Sequence, residues 1–181
     1  MRVICYGDSN TYGYDPRTPF GDRYDVVWTE LLAQKTGWSI CNAGENGREI
    51  PKGEISFPDD VDLIIVMLGT NDLLQFWSPE AACDKMERFL TGLIRNGNRV
   101  LLIAPPPMAM GEWVQDQELI DDSITLGKLY RKLAEKLNAA FADAGMWHIP
   151  LAFDGVHLTQ EGQSLFAEGL FQQLINLNLY K

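Results

Sequence analysis

A chain of 181 residues, 46% of them hydrophobic, is long enough to bury one core, and we expect a single domain over residues 1–181. The 15 lysines and arginines are outnumbered by 25 aspartates and glutamates, which gives a formal net charge of -10. A chain this acidic would repel a phosphate backbone, so nucleic acid is excluded as a partner. The longest apolar run, residues 63–68, is far shorter than the ~20 residues of a membrane span.

Short apolar runs alternate with longer segments whose apolar residues recur at helical spacing. The predicted strands are 3–6, 39–42, 63–68, 100–104 and 146–149. The predicted helices are 27–35, 79–95, 119–144 and 160–177. Strands that are apolar on both faces and alternate with helices predict an α/β fold, with a five-stranded parallel sheet between two helical layers.

The first predicted strand begins almost at the first residue of the chain. No room precedes it for the charged, apolar and cleavage regions of a secretory leader. We therefore expect a cytoplasmic protein.

Three polar segments follow, or nearly follow, predicted strands. They are Gly-Asp-Ser at 7–9, Gly-Thr-Asn-Asp at 69–72 and Asp-Gly-Val-His at 154–157. Because the carboxyl ends of parallel strands meet at one edge of a sheet, we expect these segments to be neighbours in space. Together they supply a serine nucleophile, an amide donor and an acid–base pair.

The base that would activate the serine must be one of the two histidines in the chain. His148 falls in a predicted strand, which favours a structural role. His157 falls in a loop before a helix, with Asp154 three residues earlier. One turn can place that carboxylate against Nδ1 and leave Nε2 facing Ser9, so we predict Ser9, His157 and Asp154 as the catalytic residues.

Acyl transfer also needs hydrogen-bond donors where negative charge develops on the substrate oxygen. Ser9 can offer its backbone N–H and Asn71 its side-chain amide. Gly44, which follows the second predicted strand, can offer a second backbone N–H. These three residues are the predicted oxyanion hole.

The ordered set of Ser9, Gly44, Asn71, Asp154 and His157 resembles the SGNH hydrolases, also called the GDSL lipase/esterase superfamily. The similarity extends from residue 3 to about residue 162. Segments 7–14, 46–48 and 105–107 look most like the bacterial arylesterase and acyltransferase branch. Asn10 stands where the family name has leucine. The resemblance implies a flavodoxin-like three-layer catalytic domain that uses neither a metal nor another cofactor.

Aromatic and sulfur-containing side chains fall in loops predicted at the same edge of the sheet. They are Tyr12, Tyr14, Phe76, Trp77, Met108 and Trp113. Grouped together, they would form an apolar wall beside Ser9. Such a wall, with no long apolar lid segment in the sequence, favours small acetyl-type or aryl esters over lipids.

The sequence thus predicts a serine esterase that forms an acyl-enzyme from a small-molecule ester. It leaves open the natural ester, transfer of the acyl group to an acceptor other than water, and assembly into a homo-oligomer. One alternative is a metal-dependent phosphoesterase with Asp8, Asp72 and Asp154 among its ligands, although two histidines are few for such a site. Another is a flavodoxin-like binding module, for which no glycine-rich phosphate motif is found.

Overall fold

The computed structural model describes residues 1–18 and 21–180. Within that part of the chain, five strands form one sheet. They are β1 (Arg2–Gly7), β2 (Ser39–Gly44), β3 (Leu63–Met67), β4 (Val100–Ala104) and β5 (Ala140–Asp143). Their order is β2-β1-β3-β4-β5 and every neighbouring pair is parallel. This is the flavodoxin-like order, and it confirms the predicted fold class.

Helices cover both faces of the sheet. They are α1 (Ser9–Tyr12), α2 (Trp28–Thr36), α3 (Thr70–Leu74), α4 (Pro79–Arg95), α5 (Gln117–Leu137) and α6 (Gln160–Asn176), with a 3-10 turn at Ala144–Trp147. Helices α4 and α5 pack on one face, and α2 and α6 on the other. Among the described residues, no helix is both long enough and apolar enough to cross a membrane.

The core has two halves, one on each side of the sheet. Successive residues of β3 point to opposite faces, so Ile64 packs with α4 and α5 while Ile65 packs with α2 and α6. All five residues of β3 are buried. Burying a side chain of this size stabilises the fold by about 1.5–3 kcal/mol, which explains why the central strands are apolar on both faces.

The last strand is not where the sequence predicts it. Helix α5 ends at Leu137, and Asn138 takes a left-handed conformation with φ of 51°. Residues 140–143, predicted as helix, pair with β4, while most of the predicted strand at 146–149 is a 3-10 turn followed by irregular chain. Two alanines make Ala140–Asp143 resemble a helix, and pairing with β4 overrides that local preference.

Two short helices, α1 and α3, escape prediction because four or five residues are too few to show a helical period. Each lies directly beyond the end of a strand, α1 after β1 and α3 after β3. Helix α1 carries Ser9 and helix α3 carries Asn71. The sheet therefore brings two of the predicted site residues to its carboxyl edge.

Candidate active site

The candidate nucleophile, Ser9, is the first residue of α1. Asp8 caps this helix, its carboxylate accepting the N–H of Asn10 at 3.0 Å. Ser9 Oγ lies 3.0 Å from His157 Nε2. The first N–H groups of a helix have no acceptor within the helix, so the Ser9 N–H can serve a ligand.

Asp154 and His157 meet within one turn of chain. His157 Nδ1 lies 2.7 Å from Asp154 Oδ2. The other carboxylate oxygen accepts the N–H groups of Val156 at 2.9 Å and of His157 at 3.0 Å. Burial alone would raise the pKa of Asp154, but the hydrogen bonds from His157 and from the backbone outweigh it and hold this pKa below its ordinary value. A carboxylate here keeps the proton on Nδ1 and leaves Nε2 to accept the Ser9 proton.

Asn10 links helix α1, which carries Ser9, to the loop that carries His157. Its Nδ2 donates to the carbonyl of Val156 at 3.1 Å, and its Oδ1 accepts the N–H of Leu158 at 2.9 Å. These two bonds flank His157 and hold it against Ser9. In the sequence, Asn10 is visible only as a departure from the family name, and no local pattern indicates a partner 146 residues away.

A second loop supports the acid–base pair from outside. The N–H of Ala109 donates to the carbonyl of Gly155 at 2.9 Å, and the N–H of Trp113 donates to the carbonyl of Asp154 at 3.1 Å. A Cβ atom on Gly155 would lie 2.1 Å from the carbonyl oxygen of Ala109, and the φ of Gly155 is 81°. Only glycine fits this contact.

Two aromatic rings enclose the imidazole of His157. The ring centroid of Tyr14 lies 4.5 Å from that of His157, and Trp113 approaches it edge-on at 5.1 Å. Trp113 is 53% exposed. The ring of Trp113 therefore presents an apolar surface beside the reactive nitrogen to any ligand that reaches it.

The other predicted wall residues have different surroundings. Met108 is buried in the core, so it does not contribute to an exposed wall. Phe76 is 97% exposed and takes a positive φ of 62°. Trp77 is partly exposed beneath the ammonium group of Lys85, which lies 4.6 Å from its ring. Tyr12 is half-buried at the end of α1.

Asn71 is placed to act as a donor. Its Nδ2 donates one hydrogen to the carbonyl of Arg48 at 3.1 Å. A carboxamide nitrogen carries two hydrogens, so the second is left for a ligand. Asn71 is the second residue of α3, the short helix that follows β3.

Gly44 does not have the free N–H that the sequence prediction requires. That N–H donates to Oδ1 of Asn42 at 2.9 Å. The residue is glycine because β2 and α1 are in close contact: a Cβ atom here would lie 2.1 Å from the backbone nitrogen of Tyr12. Gly44 thus has a packing role, and the structure does not support it as an oxyanion donor.

Gly47 is the alternative donor in the same segment. It lies in a turn closed by a hydrogen bond from Arg48 N–H to the carbonyl of Glu45 at 3.2 Å. No residue in the described part of the chain accepts the N–H of Gly47. The neighbouring Arg48 carbonyl holds Asn71, so this turn adjoins the predicted donor. Sequence reasoning treated Asn46-Gly47 only as part of a family motif.

The buried carboxylates near the site are engaged by protein donors. Asp72 accepts the Ile50 N–H at 3.0 Å and forms an ion pair with the buried Lys85. Burial raises its pKa despite that pair. Burial also raises the pKa of Asp8 to about 6, opposed by the Asn10 N–H and by the charge of His157. Over residues 1–18 and 21–180, no three His, Cys, Asp or Glu side chains are grouped as metal ligands.

A cavity of about 610 Å³ lies away from these residues, between segment 51–55 and α4. Its lining is mixed in charge and contains none of the three candidate catalytic residues. The triad itself lies at the carboxyl edge of the sheet, where ligands bind in open α/β folds. We therefore assign chemistry to that edge and not to this cavity.

Known proteins share both the sequence pattern and the fold. The GDSL-like Lipase/Acylhydrolase family model matches residues 5–165. The native aryl esterase of M. smegmatis superposes with a TM-score of 0.84 at 26% identity, over 97% of this chain and 99% of that one. A carbohydrate acetylesterase family member from Sinorhizobium meliloti gives a TM-score of 0.83 at 26% identity, over 98% of each chain. A comparison with curated proteins found no match.

A parallel sheet of flavodoxin-like order with Ser, His and Asp hydrogen-bonded at its carboxyl edge defines a carboxylic ester hydrolase. The chain belongs to the GDSL-like lipase/acylhydrolase family. The resemblance to SGNH hydrolases of the arylesterase branch is thereby confirmed.

Proposed function

We propose that the protein hydrolyses small acyl esters through an acyl-enzyme on Ser9, with His157 as base and Asp154 as the group that orients it. The observation that carries the proposal is the continuous chain of hydrogen bonds from Asp154 through His157 to Ser9, at 2.7 and 3.0 Å. All three side chains are buried to more than nine-tenths. Burial strengthens the interaction of the carboxylate with the imidazolium that forms during reaction.

The first half-reaction transfers the acyl group to the enzyme. His157 Nε2 takes the proton of Ser9 Oγ as that oxygen bonds to the ester carbonyl carbon, and the carbonyl electron pair moves onto its oxygen. The electron pair on the oxyanion then re-forms the carbonyl as the bond from carbon to the alkoxy oxygen breaks, and His157 gives its proton to that alkoxy oxygen. The alcohol leaves, and the acyl group remains bonded to Ser9.

The second half-reaction repeats these steps with water. Water gives a proton to His157 as its oxygen bonds to the acyl carbon. The bond from carbon to Ser9 Oγ then breaks, and His157 returns the proton to Ser9. The acid is released and the enzyme is regenerated.

For the oxyanion we propose the Ser9 N–H, the free Nδ2 hydrogen of Asn71 and the Gly47 N–H. Gly47 replaces the Gly44 of the sequence prediction, because the Gly44 N–H donates to Asn42. Each donor placed where charge develops stabilises the transition state by about 3–4 kcal/mol. Asn71→Ala, which removes the side-chain donor, should therefore lower kcat about 100- to 1,000-fold.

The rings around His157 support a substrate with a short acyl group. Trp113 and Tyr14 lie within about 5 Å of the imidazole, ring centre to ring centre, and leave limited room beside it. One structural relative is named an aryl esterase and the other a carbohydrate acetylesterase family member; the first name agrees with an aryl ester and the second with an acetyl group on a sugar. We propose acetyl-type esters of aryl or sugar alcohols.

The test is hydrolysis of p-nitrophenyl acetate by the wild type and by Ser9→Ala, each with and without a chelator. We expect turnover that resists the chelator, disappears in Ser9→Ala and falls as the acyl chain lengthens. Labelling of Ser9 by an organophosphate gives the number of competent sites. Chelator-sensitive turnover, or a Ser9→Ala variant as active as the wild type, would favour the metal-dependent phosphoesterase instead.

A further inference from the structure

Arg48 connects the ends of two strands, β1 and β2, with the segment that follows a third strand, β3. Its Nη1 donates to the carbonyl of Gly7 at 2.9 Å and to the carbonyl of Ala43. Gly7 ends β1 just before the turn to Ser9, and Ala43 lies near the end of β2. Through its own carbonyl, Arg48 also accepts Nδ2 of Asn71, which follows β3.

The guanidinium group is held on several sides. The central carbon of the guanidinium group, Cζ, lies 4.2 Å from the centre of the Tyr6 ring. A second nitrogen, Nη2, donates to the carboxylate of Glu45. The side chain of Arg48 is only 18% exposed. A planar group fixed in this way has little freedom to move, so the carbonyls that it binds have little freedom either.

These bonds determine the relative positions of the proposed oxyanion donors. The Ser9 N–H lies two residues beyond the Gly7 carbonyl, which Arg48 binds. The Gly47 N–H belongs to the residue before Arg48. The side-chain amide of Asn71 donates to the Arg48 carbonyl. Donors stabilise the transition state only when they are held close to the productive geometry. A displacement of about 1 Å can lower the rate roughly 100-fold.

We propose that Arg48 is a positioning residue for the oxyanion hole, aligning the Ser9, Gly47 and Asn71 donors by bridging the ends of β1 and β2. This inference rests on the proposed esterase function. The contacts of the Arg48 guanidinium are with protein groups, so its removal should act on the alignment of the donors in the transition state and leave ground-state binding almost unchanged. Lysine cannot replace it, because an ammonium group lacks the planar fork that reaches two carbonyls while stacking on Tyr6.

The experiment compares Arg48→Ala and Arg48→Lys with the wild type. The matched control is Arg131→Ala, which removes an exposed arginine that pairs with Asp143 at 3.0 Å on the surface. For each protein we would measure kcat and KM with p-nitrophenyl acetate, counted per organophosphate-labelled site. Phenylboronic acid, whose adduct with Ser9 places an oxygen in the oxyanion hole, reports on the alignment of the donors directly.

We expect Arg48→Ala to lower kcat roughly 10- to 100-fold with KM changed less than about twofold. The inhibition constant of phenylboronic acid should rise by a similar factor. Millimolar guanidinium chloride should restore part of kcat in Arg48→Ala, since it can occupy the vacated space. Arg48→Lys should remain impaired, and Arg131→Ala should match the wild type throughout.

Three results would overturn the inference: an Arg48→Ala variant with wild-type kcat per labelled site, a loss confined to KM, or full activity in Arg48→Lys. If Arg48→Ala does not fold, Arg48→Lys carries the same comparison, because it keeps the charge and most of the stem. A wild type without turnover, or an active Ser9→Ala, would instead refute the proposed function. An active wild type, an inactive Ser9→Ala and an unimpaired Arg48→Ala would refute the role of Arg48 alone.

Discussion

Replacing Asp8 by asparagine should stabilise the protein at neutral pH. Asp8 is buried beside Ser9, and that burial raises the pKa of its carboxyl group from 3.8 to about 6. Asparagine caps a helix as well as aspartate does, so Asp8→Asn can keep the hydrogen bond from the Asn10 N–H. The variant removes the buried charge and leaves the cap.

The magnitude and its pH dependence follow from the pKa shift. A folded-state pKa raised by about two units corresponds to about 3 kcal/mol. The protonated carboxyl group contributes this stability below about pH 4, and the contribution is lost as the pH rises through about 6. The gain from Asp8→Asn should therefore be about 1 kcal/mol near pH 4.5 and about 3 kcal/mol above pH 7.

Urea unfolding followed by tryptophan fluorescence at several pH values measures this difference. Asp25→Asn, which removes an exposed carboxylate, is the matched control and should change stability by less than about 0.5 kcal/mol at every pH. A gain from Asp8→Asn that is equal near pH 4.5 and pH 8 would refute desolvation as its cause. A loss of stability at pH 8 would show that the ionised carboxylate is favourable where it lies.

Three further predictions concern the support of the acid–base pair. Asp154→Asn should lower kcat about 10⁴-fold, because the imidazole loses the partner that selects its tautomer. Steady-state kinetics measure kcat, and a decrease of less than tenfold would contradict this role of Asp154. Gly155→Ala places a methyl group 2.1 Å from a backbone carbonyl oxygen, so it should reduce both turnover and the free energy of unfolding. Gly37→Ala is the control, because Gly37 has a φ of 68° but no atom within 4 Å of the added methyl group. It should lower the free energy of unfolding in urea by only about 1 kcal/mol. Asn10→Ala leaves two buried backbone groups unpaired and should destabilise the protein by about 2–4 kcal/mol, and an unchanged unfolding midpoint would contradict this.

The sheet and its polar edge could be predicted because their signals are local. The strands β1, β3 and β4 are buried and apolar on both faces, so they are visible as short apolar runs in the sequence. The edge strand β2 is also predicted, although it is only partly buried. Parallel pairing then places residues that follow those strands at one edge. The segments with Ser9 and Asn71 follow β1 and β3 and lie there for that reason. His157 lies well beyond the end of β5, and Asn10 ties its loop to α1 although 148 residues separate Ser9 from His157.

What could not be predicted depends on contacts between distant segments. The strand at 140–143 is defined by its pairing with β4 and not by its composition. The direction of the Gly44 N–H depends on the side chain of Asn42 and on the packing of α1, so the sequence alone pointed to a glycine whose N–H is already engaged. The burial of Met108 follows from the path of the loop after β4, which three consecutive prolines do not reveal.

The groups proposed to react are few, and side chains that do not react hold most of them in place. Asn10 ties α1 to the histidine loop, and Arg48 ties the turns after β1 and β2 to Asn71. Asp8, by contrast, is destabilising when ionised, but its charge interacts favourably with that of His157. In the proposed mechanism an imidazolium forms at His157 during the reaction, so a nearby carboxylate would favour the transition state over the ground state. Asp8→Asn should thus yield a more stable but slower enzyme, the trade between stability and activity expected at a catalytic site.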